Sequence, residues 1–269
     1  MRNKIINFLY HAITIVWLAL ICIPIVPVII GSFKSSSEYY SSAPLSLASE
    51  PTLSNYIEVI TSNDFLISIL NTIILIVLSI IITTILSSMV AYAVERFEFK
   101  YKQLVISLFV IISFLPMAVM QISVFQVMNF THLNNTFWGL AILYSISDVV
   151  IIYLFRDNIR KISPNIDKSA KLTGANYFQI YWKLIFPNLR PTIMIVCIYK
   201  LINIYNDFYL QSLYLTKHKT ISTLLYQYTS PYEMLWPQIC ASIVVLIIIS
   251  VTILIIVQLF YQKQLRSES

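Results

Sequence analysis

Lys200 stands in the middle of an apolar stretch, with Asn203 at i+3 and Asp207 at i+7, on one face of a helix of 3.6 residues per turn. An ammonium at hydrocarbon depth is costly, so it faces a cavity or a partner. Its chemistry is therefore that of a residue on a solute pathway, of an ion pair with another chain, or of a side chain reaching for the interface. Lys200 and Asp207 lie about 10 Å apart along the axis, too far to pair directly, and Asp207 falls near the outer end of its helix, where it can equally be interfacial. Asn206 and Tyr205 lie beside them and join the candidate pathway set, as does Gln121 in an earlier apolar stretch. Asp148 and Asn71 read as hydrogen-bonding residues between helices. A second polar group is cytoplasmic in character: Asp167, Lys168, Ser169, Ala170 and Lys171, then Gly174, and Pro187 further on. No phosphate-binding glycine loop, HExxH or GxSxG occurs, so these groups point to binding and transmission, not to catalysis.

The elements that must position them are membrane helices. The chain is 58% hydrophobic and 11% charged with a mean hydropathy of +0.78, against about 25% charge in soluble domains. A bilayer core needs about 20 apolar residues of helix, and six stretches qualify, at about 10–31, 65–94, 103–124, 137–155, 189–213 and 237–260. Runs such as "IVVLIIISVTILIIV" (243–257) do not alternate as barrel strands do. The first stretch exceeds a signal-peptide core and is followed by no small-residue cleavage site. It reads as a retained helix, kinked near Pro24 and Pro27. Cys22, Cys197 and Cys240 have no paired spacing and read as packing residues.

Lysine and arginine set the orientation. With the N-terminus in the cytoplasm, the inner side carries Arg2, Lys4, Arg96, Lys100, Lys102, the seven basic residues of 156–190, Lys263 and Arg266, whereas the outer side carries Lys34, Lys217 and Lys219. The positive-inside rule then places both termini in the cytoplasm. The net charge of +6 is a topology signal and implies no nucleic-acid partner. The expectation is a single membrane domain over 1–269 with a Ser-rich outer loop at 32–64, where Thr52 or Ser54 caps a short helix, and a sizeable inner segment at 156–188.

That inner segment has strong local signals. Ser163 and Pro164 start a helix, Asp167 and Lys171 pair at i, i+4, and Gly174 ends the helix as a left-handed cap. Asn176 with Gln179 forms a capping box for a second helix carrying Tyr177, Phe178, Ile180, Tyr181, Trp182 and Ile185, which runs to Pro187. The design is helix, glycine elbow, helix. A solvated loop with interfacial aromatics is the plain alternative.

The segment resembles the signature loop of binding-protein-dependent ABC importer permeases: Glu-Ala-Ala, three residues, Gly, nine residues, then Ile-x-Leu-Pro. Here those slots hold Lys168-Ser169-Ala170, Gly174 and Leu184-Ile185-Phe186-Pro187. "TLSNY" (52–56), "LNT" (70–72), "AYAVERFEF" (91–99), "NNTFWGL" (134–140), "FRDNIRKISPN" (155–165) and "YNDFYL" (205–210) follow in the order of the second permease of maltose-type sugar importers. The resemblance implies an all-α type I importer permease fold with six transmembrane helices in the bacterial cell membrane. It implies a homologous second permease, two ABC ATPase subunits that carry the ATP and Mg, and an extracytoplasmic solute-binding protein as partners. This chain itself would bind no cofactor.

By the same resemblance, Asp167, Lys168, Ser169, Ala170, Lys171, Gly174 and Pro187 form the ATPase-coupling segment. Lys200, Asn203, Asn206, Asp207, Gln121 and Tyr205 become candidate contacts for a carbohydrate, with Lys200 suited to an acidic sugar and Tyr205, Phe208 and Tyr209 able to stack on sugar rings. The sequence departs from the family where Lys168 replaces the glutamate and Thr173 the usual aspartate. Asp167 is one residue early, about 100° around the helix, and does not substitute. An importer of another small solute (glycerol-phosphate or a polyamine) and a membrane scaffold without a pathway are the alternatives.

Overall fold

The computed structural model describes residues 2–146, 148–228 and 235–268, and all regular structure among them is helical. The chain divides into two compact units, Met1–Leu66 with Leu224–Ser269, and Ile67–Thr223.

In the first unit, α1 (Arg2–Cys22) breaks at Ile23–Pro24 and continues as α2 (Ile25–Ser32), as expected where proline removes a backbone donor. Short helices α3 (Ser36–Ser41) and α4 (Ser54–Thr61) follow. Neither Thr52 nor Ser54 supplies the expected side-chain cap of α4: Leu53 occupies the cap position, and the Ser54 amide donates to Thr52 Oγ1 instead (3.1 Å). Lys34 is buried, and its ammonium donates to Ser42 Oγ (2.8 Å), the Ala43 carbonyl (3.0 Å) and Ser46 Oγ (3.0 Å), which closes the serine-rich loop on itself. The long helix that closes this unit, Trp236–Glu268, packs on α2, α3 and α4.

The second unit takes all but the first turn of α5 (Asn63–Arg96) and then α6 (Lys102–Ser113), α7 (Met117–Phe130), α8 (Phe137–Ile146) and α9 (Val149–Lys161). Next come α10 (Pro164–Leu172), α11 (Tyr177–Ile180), α12 (Phe186–Asn188), α13 (Arg190–Asn206) and α14 (Tyr209–Tyr214). Two helical stretches, Ile13–Ser32 and Asn63–Arg96, are each long and apolar enough to cross a membrane. The apolar run 103–124 is not one helix. It stops at Ser113 and restarts behind Pro116, and α7 then extends to Phe130, past the expected end. The run 189–213 likewise ends as α13 at Asn206 and restarts as α14.

Two apolar cores hold this unit. One joins Ala91 and Tyr92 of α5, Ile151, Phe155 and Ile159 of α9, and Ile180, Tyr181, Ile185, Leu189 and Val196. The other joins Leu75, Met128, Leu140, Ala141, Tyr144, Ile204 and Tyr214.

Candidate functional site

The segment between α9 and α13 folds as its caps dictate. Ser163 Oγ accepts from the Asn165 amide (3.4 Å), and Pro164 is the first helical residue of α10. At the other end the Ala175 amide donates to the Ala170 carbonyl (3.1 Å) and the Gly174 amide to the Lys171 carbonyl (3.0 Å), with Gly174 at φ +85°. These are the two bonds of a Schellman cap. Asn176 Oδ1 accepts from the Gln179 amide (2.8 Å), and Gln179 Oε1 accepts from the Asn176 amide (3.0 Å), which completes the capping box. The second helix is not a plain α-helix. After one turn of α11 it widens to a π-turn over Tyr181–Ile185, then forms α12, and the stretch Tyr177–Asn188 bends by 72° into α13.

Gly174 has open space where a Cβ would stand, so only its left-handed backbone opposes a side chain. Asparagine adopts that conformation and β-branched residues do not. Gly174→Val is expected to destabilise the elbow by about 1–2 kcal/mol, and Gly174→Asn by less than half of that. Thermal unfolding of the two purified variants checks the order.

Asp167 does not pair with Lys171. It turns inward on α10, is buried, and meets Arg96 at the end of α5, Nε to Oδ2 at 3.0 Å. Burial pushes the Asp167 carboxyl up, against the pull of Arg96 and, more weakly, of Lys171. Lys171 instead reaches across the elbow to Tyr177, its ammonium 3.9 Å from the ring centroid. Opposite Asp167, α10 offers an outward face of Asn165, Ser169 and Leu172, all exposed and Leu172 90% so, flanked by exposed Lys168. Ala170 is half-buried against the first core, and Pro187 is exposed on α12.

The second candidate set divides. Lys200 is 1% exposed; its ammonium donates to the Tyr144 carbonyl (2.6 Å) and forms an ion pair with Asp148. The pair therefore lies within the chain. Tyr144, near the end of α8, has its carbonyl on Lys200 and donates its hydroxyl to Asp207 Oδ2 (2.7 Å). Asp207 Oδ1 also accepts from the Leu210 amide (3.1 Å), which ties the first turn of α14 to the break after α13. Gln121 is buried, and its Oε1 accepts from Tyr214 (2.7 Å).

Asn203 and Asn206 are exposed, and their amides return to the Tyr199 and Ile202 carbonyls of their own helix (both 2.8 Å). Tyr205 is half-buried. Lys200 and Asn203 thus do not share an environment. What sequence reasoning missed is Tyr144, the residue that joins Lys200 to Asp207, and Arg96, counted there only as topology charge. Asp148, with Lys200 52 positions away, had no local signal to name its partner.

Residues 84–266 match the family described as the binding-protein-dependent transport system inner membrane component. The chain belongs to this family. Among relatives of this inner membrane component is the probable starch degradation products transport system permease protein AmyC of Thermoanaerobacterium thermosulfurigenes, 27% identical over 87% of this chain and 85% of that protein. The arabinooligosaccharides transport system permease protein AraQ of Bacillus subtilis is 24% identical over 89% and 85% respectively. A chain from the crystal structure of a bacterial ABC transporter involved in the import of the acidic polysaccharide alginate superposes with a TM-score of 0.77 at 20% identity, over 96% of this chain and 97% of that one. The fold of the inner membrane component is thus that of an ABC importer permease.

Proposed function

We propose that this chain is a permease subunit of an ATP-driven, binding-protein-dependent importer of oligosaccharides. The family match over residues 84–266 carries the reading, and the relatives named for starch products and arabinooligosaccharides supply the substrate class. In it, six spans leave both termini in the cytoplasm, broken spans being accommodated where protein covers the freed backbone groups. The chain forms half of the pathway with a second permease, receives sugar from an extracytoplasmic binding protein, and binds no nucleotide itself. Of two ATPase subunits, which carry ATP and Mg, one docks on the outward face of α10 and the other on the second permease. Closure of the ATPase dimer then moves α10 as a rigid body and reorients the spans.

Within the pathway set, we assign Lys200, Asp207 and Gln121 to holding the wall, because each is engaged by its own chain. Asn203, Asn206 and Tyr205 are assigned to facing the path. Lys200 offers no free cation to an acidic sugar, since Asp148 and the Tyr144 carbonyl hold its ammonium, so the proposed substrate class carries no charge requirement at this residue.

Lys168 stands where the family's glutamate would meet a basic ATPase residue, so either the cleft receiving it is compensated in charge or the second permease carries the coupling. Lys168→Glu is expected to weaken coupling to the native ATPase by about fivefold or more, read as transport-linked ATP hydrolysis. A rate above wild type would contradict the assignment. For the reading as a whole, the tagged chain is purified from its membrane and its partners identified by mass spectrometry. A second permease and an ABC ATPase are expected. A scaffold without a pathway would bring down no ATPase, and its Lys200→Leu variant would leave uptake intact.

A further inference from the structure

The cytoplasmic end of α5 meets the α9–α12 segment through a stripe spaced i, i+4, i+8. Ser88 Oγ lies 2.7 Å from the Tyr181 hydroxyl, and the Tyr92 ring 5.5 Å from that of Tyr181. Arg96 makes the third contact, and it is three-pronged. Its Nε stands 3.0 Å from Asp167 of α10. One terminal nitrogen donates to the carbonyls of Ile159 (3.2 Å) and Ile162 (2.6 Å), which close the C-terminal end of α9. Residues three and four apart share a helix face, so a single edge of α5 holds the helix before the turn, the helix after it and the π-turn beyond the elbow. Beside it, Glu95 accepts from Arg156 Nε (2.8 Å) and Arg160 Nε (3.1 Å), clamping α9 a second time.

The arrangement is under-satisfied at its centre. Asp167 Oδ1 and Arg96 Nε are both buried without a hydrogen-bond partner among the described residues, although a buried polar atom is normally partnered. The 3.0 Å approach of Nε to Oδ2 is thus an ion pair without hydrogen-bond geometry. A joint chosen only for stability would complete that bond. Arg96 holds α10 and the end of α9 to α5 at once, and its own side chain is 8% exposed.

We propose that Arg96 is a positioning residue that seats α10 on α5, so that movement of the outward face of α10 reaches the membrane helices instead of being lost at the turn. The inference rests on the importer reading above. A neutral side chain at this position frees α10 from α5 while the outward face that binds the ATPase is left as it was. Hydrolysis then proceeds without being governed by the outer side.

The test uses the whole importer in lipid nanodiscs, with the solute-binding protein purified natively so that it carries whatever sugar it retains. The measured quantity is the ratio of ATP hydrolysis with that protein to hydrolysis without it. Arg96→Met, and the gentler Asp167→Asn, are expected to lower the ratio toward unity, by about fivefold or more for Arg96→Met, with the ATPase still co-purifying in wild-type amount. Arg96→Lys keeps the charge without the fork and is expected to fall between. The exchange Arg96→Asp with Asp167→Arg should recover part of the loss. An unchanged ratio in both Arg96→Met and Asp167→Asn overturns the proposal, and so does a fall that merely follows loss of ATPase from the complex. A wild-type chain that retains no ATPase, or whose ATPase ignores the binding protein, overturns the importer reading itself.

Discussion

Asp148→Ala destabilises the protein by about 3 kcal/mol or more, the largest loss expected from any side-chain truncation near the candidate pathway. Lys200 is fully buried, and among the described residues the Asp148 carboxylate alone balances its charge, the Tyr144 carbonyl being neutral. Removing the carboxylate leaves a buried ammonium without its counter-charge, and a stranded buried charge costs far more than the pair contributed. Removing both charges is different. Asp148→Leu with Lys200→Met is expected to return to within about 1 kcal/mol of wild type, because apolar packing replaces a buried pair at little net cost. Tyr144→Phe, which deletes only the hydroxyl on Asp207, should cost about 1 kcal/mol.

Unfolding of the detergent-purified complex measures all three. Equal, small losses for Asp148→Ala and Tyr144→Phe would contradict the account of the pair. The double variant also separates wall from ligand. If the pair only holds the wall, the double variant still transports, and a stable double variant without transport would assign Lys200 to the solute.

Gly139→Ala carries a similar expected loss, about 3 kcal/mol, from a different cause. Gly139 sits in the first turn of α8, and a Cβ built there stands 2.2 Å from the Leu133 carbonyl oxygen and 2.9 Å from its carbon. That carbonyl is fixed. It accepts from Thr136 Oγ1 (2.7 Å), which in turn accepts from the Gly139 amide (3.0 Å). The turn around it holds two non-glycine residues in left-handed conformation, His132 at φ 56° and Asn135 at φ 59°, and the Asn135 amide is tied to the Tyr214 carbonyl (3.0 Å). Backbone meets backbone, so no rotamer change relieves the clash. Gly31→Ala is the natural comparison, because its Cβ would meet the ring edge of Tyr39 at 2.8 Å, a side chain able to shift. Similar thermal shifts for the two variants would show that the Leu133 turn yields.

What the sequence made legible was local. The proline-led start of α10, the Gly174 elbow and the Asn176–Gln179 box are each set within six residues, and each is found as read. The break at Pro116 was written in the chain but passed over in favour of an unbroken hydrophobic run. The π-turn at Tyr181–Ile185 has no sequence mark, and its first residue, Tyr181, packs on Ser88 and Tyr92 of α5. The pairings were illegible for the same reason. Asp167 has a lysine at the favourable helical spacing, yet the side that carries it turns inward to Arg96, and only the folded chain decides between a local and a distant partner. Lys200 was recognised as exceptional, but its answer, Asp148, comes from another helix.

The central claim is that this chain transports sugar because an ATPase drives it. ATP-dependent uptake by the complete importer in proteoliposomes tests it most directly, with maltotriose, arabinotriose and an alginate trisaccharide each supplied with the solute-binding protein outside and ATP within. The account predicts that at least one of these sugars accumulates, and only when ATP and the binding protein are both present. Accumulation of none of them, or accumulation that needs neither ATP nor the binding protein, would contradict it.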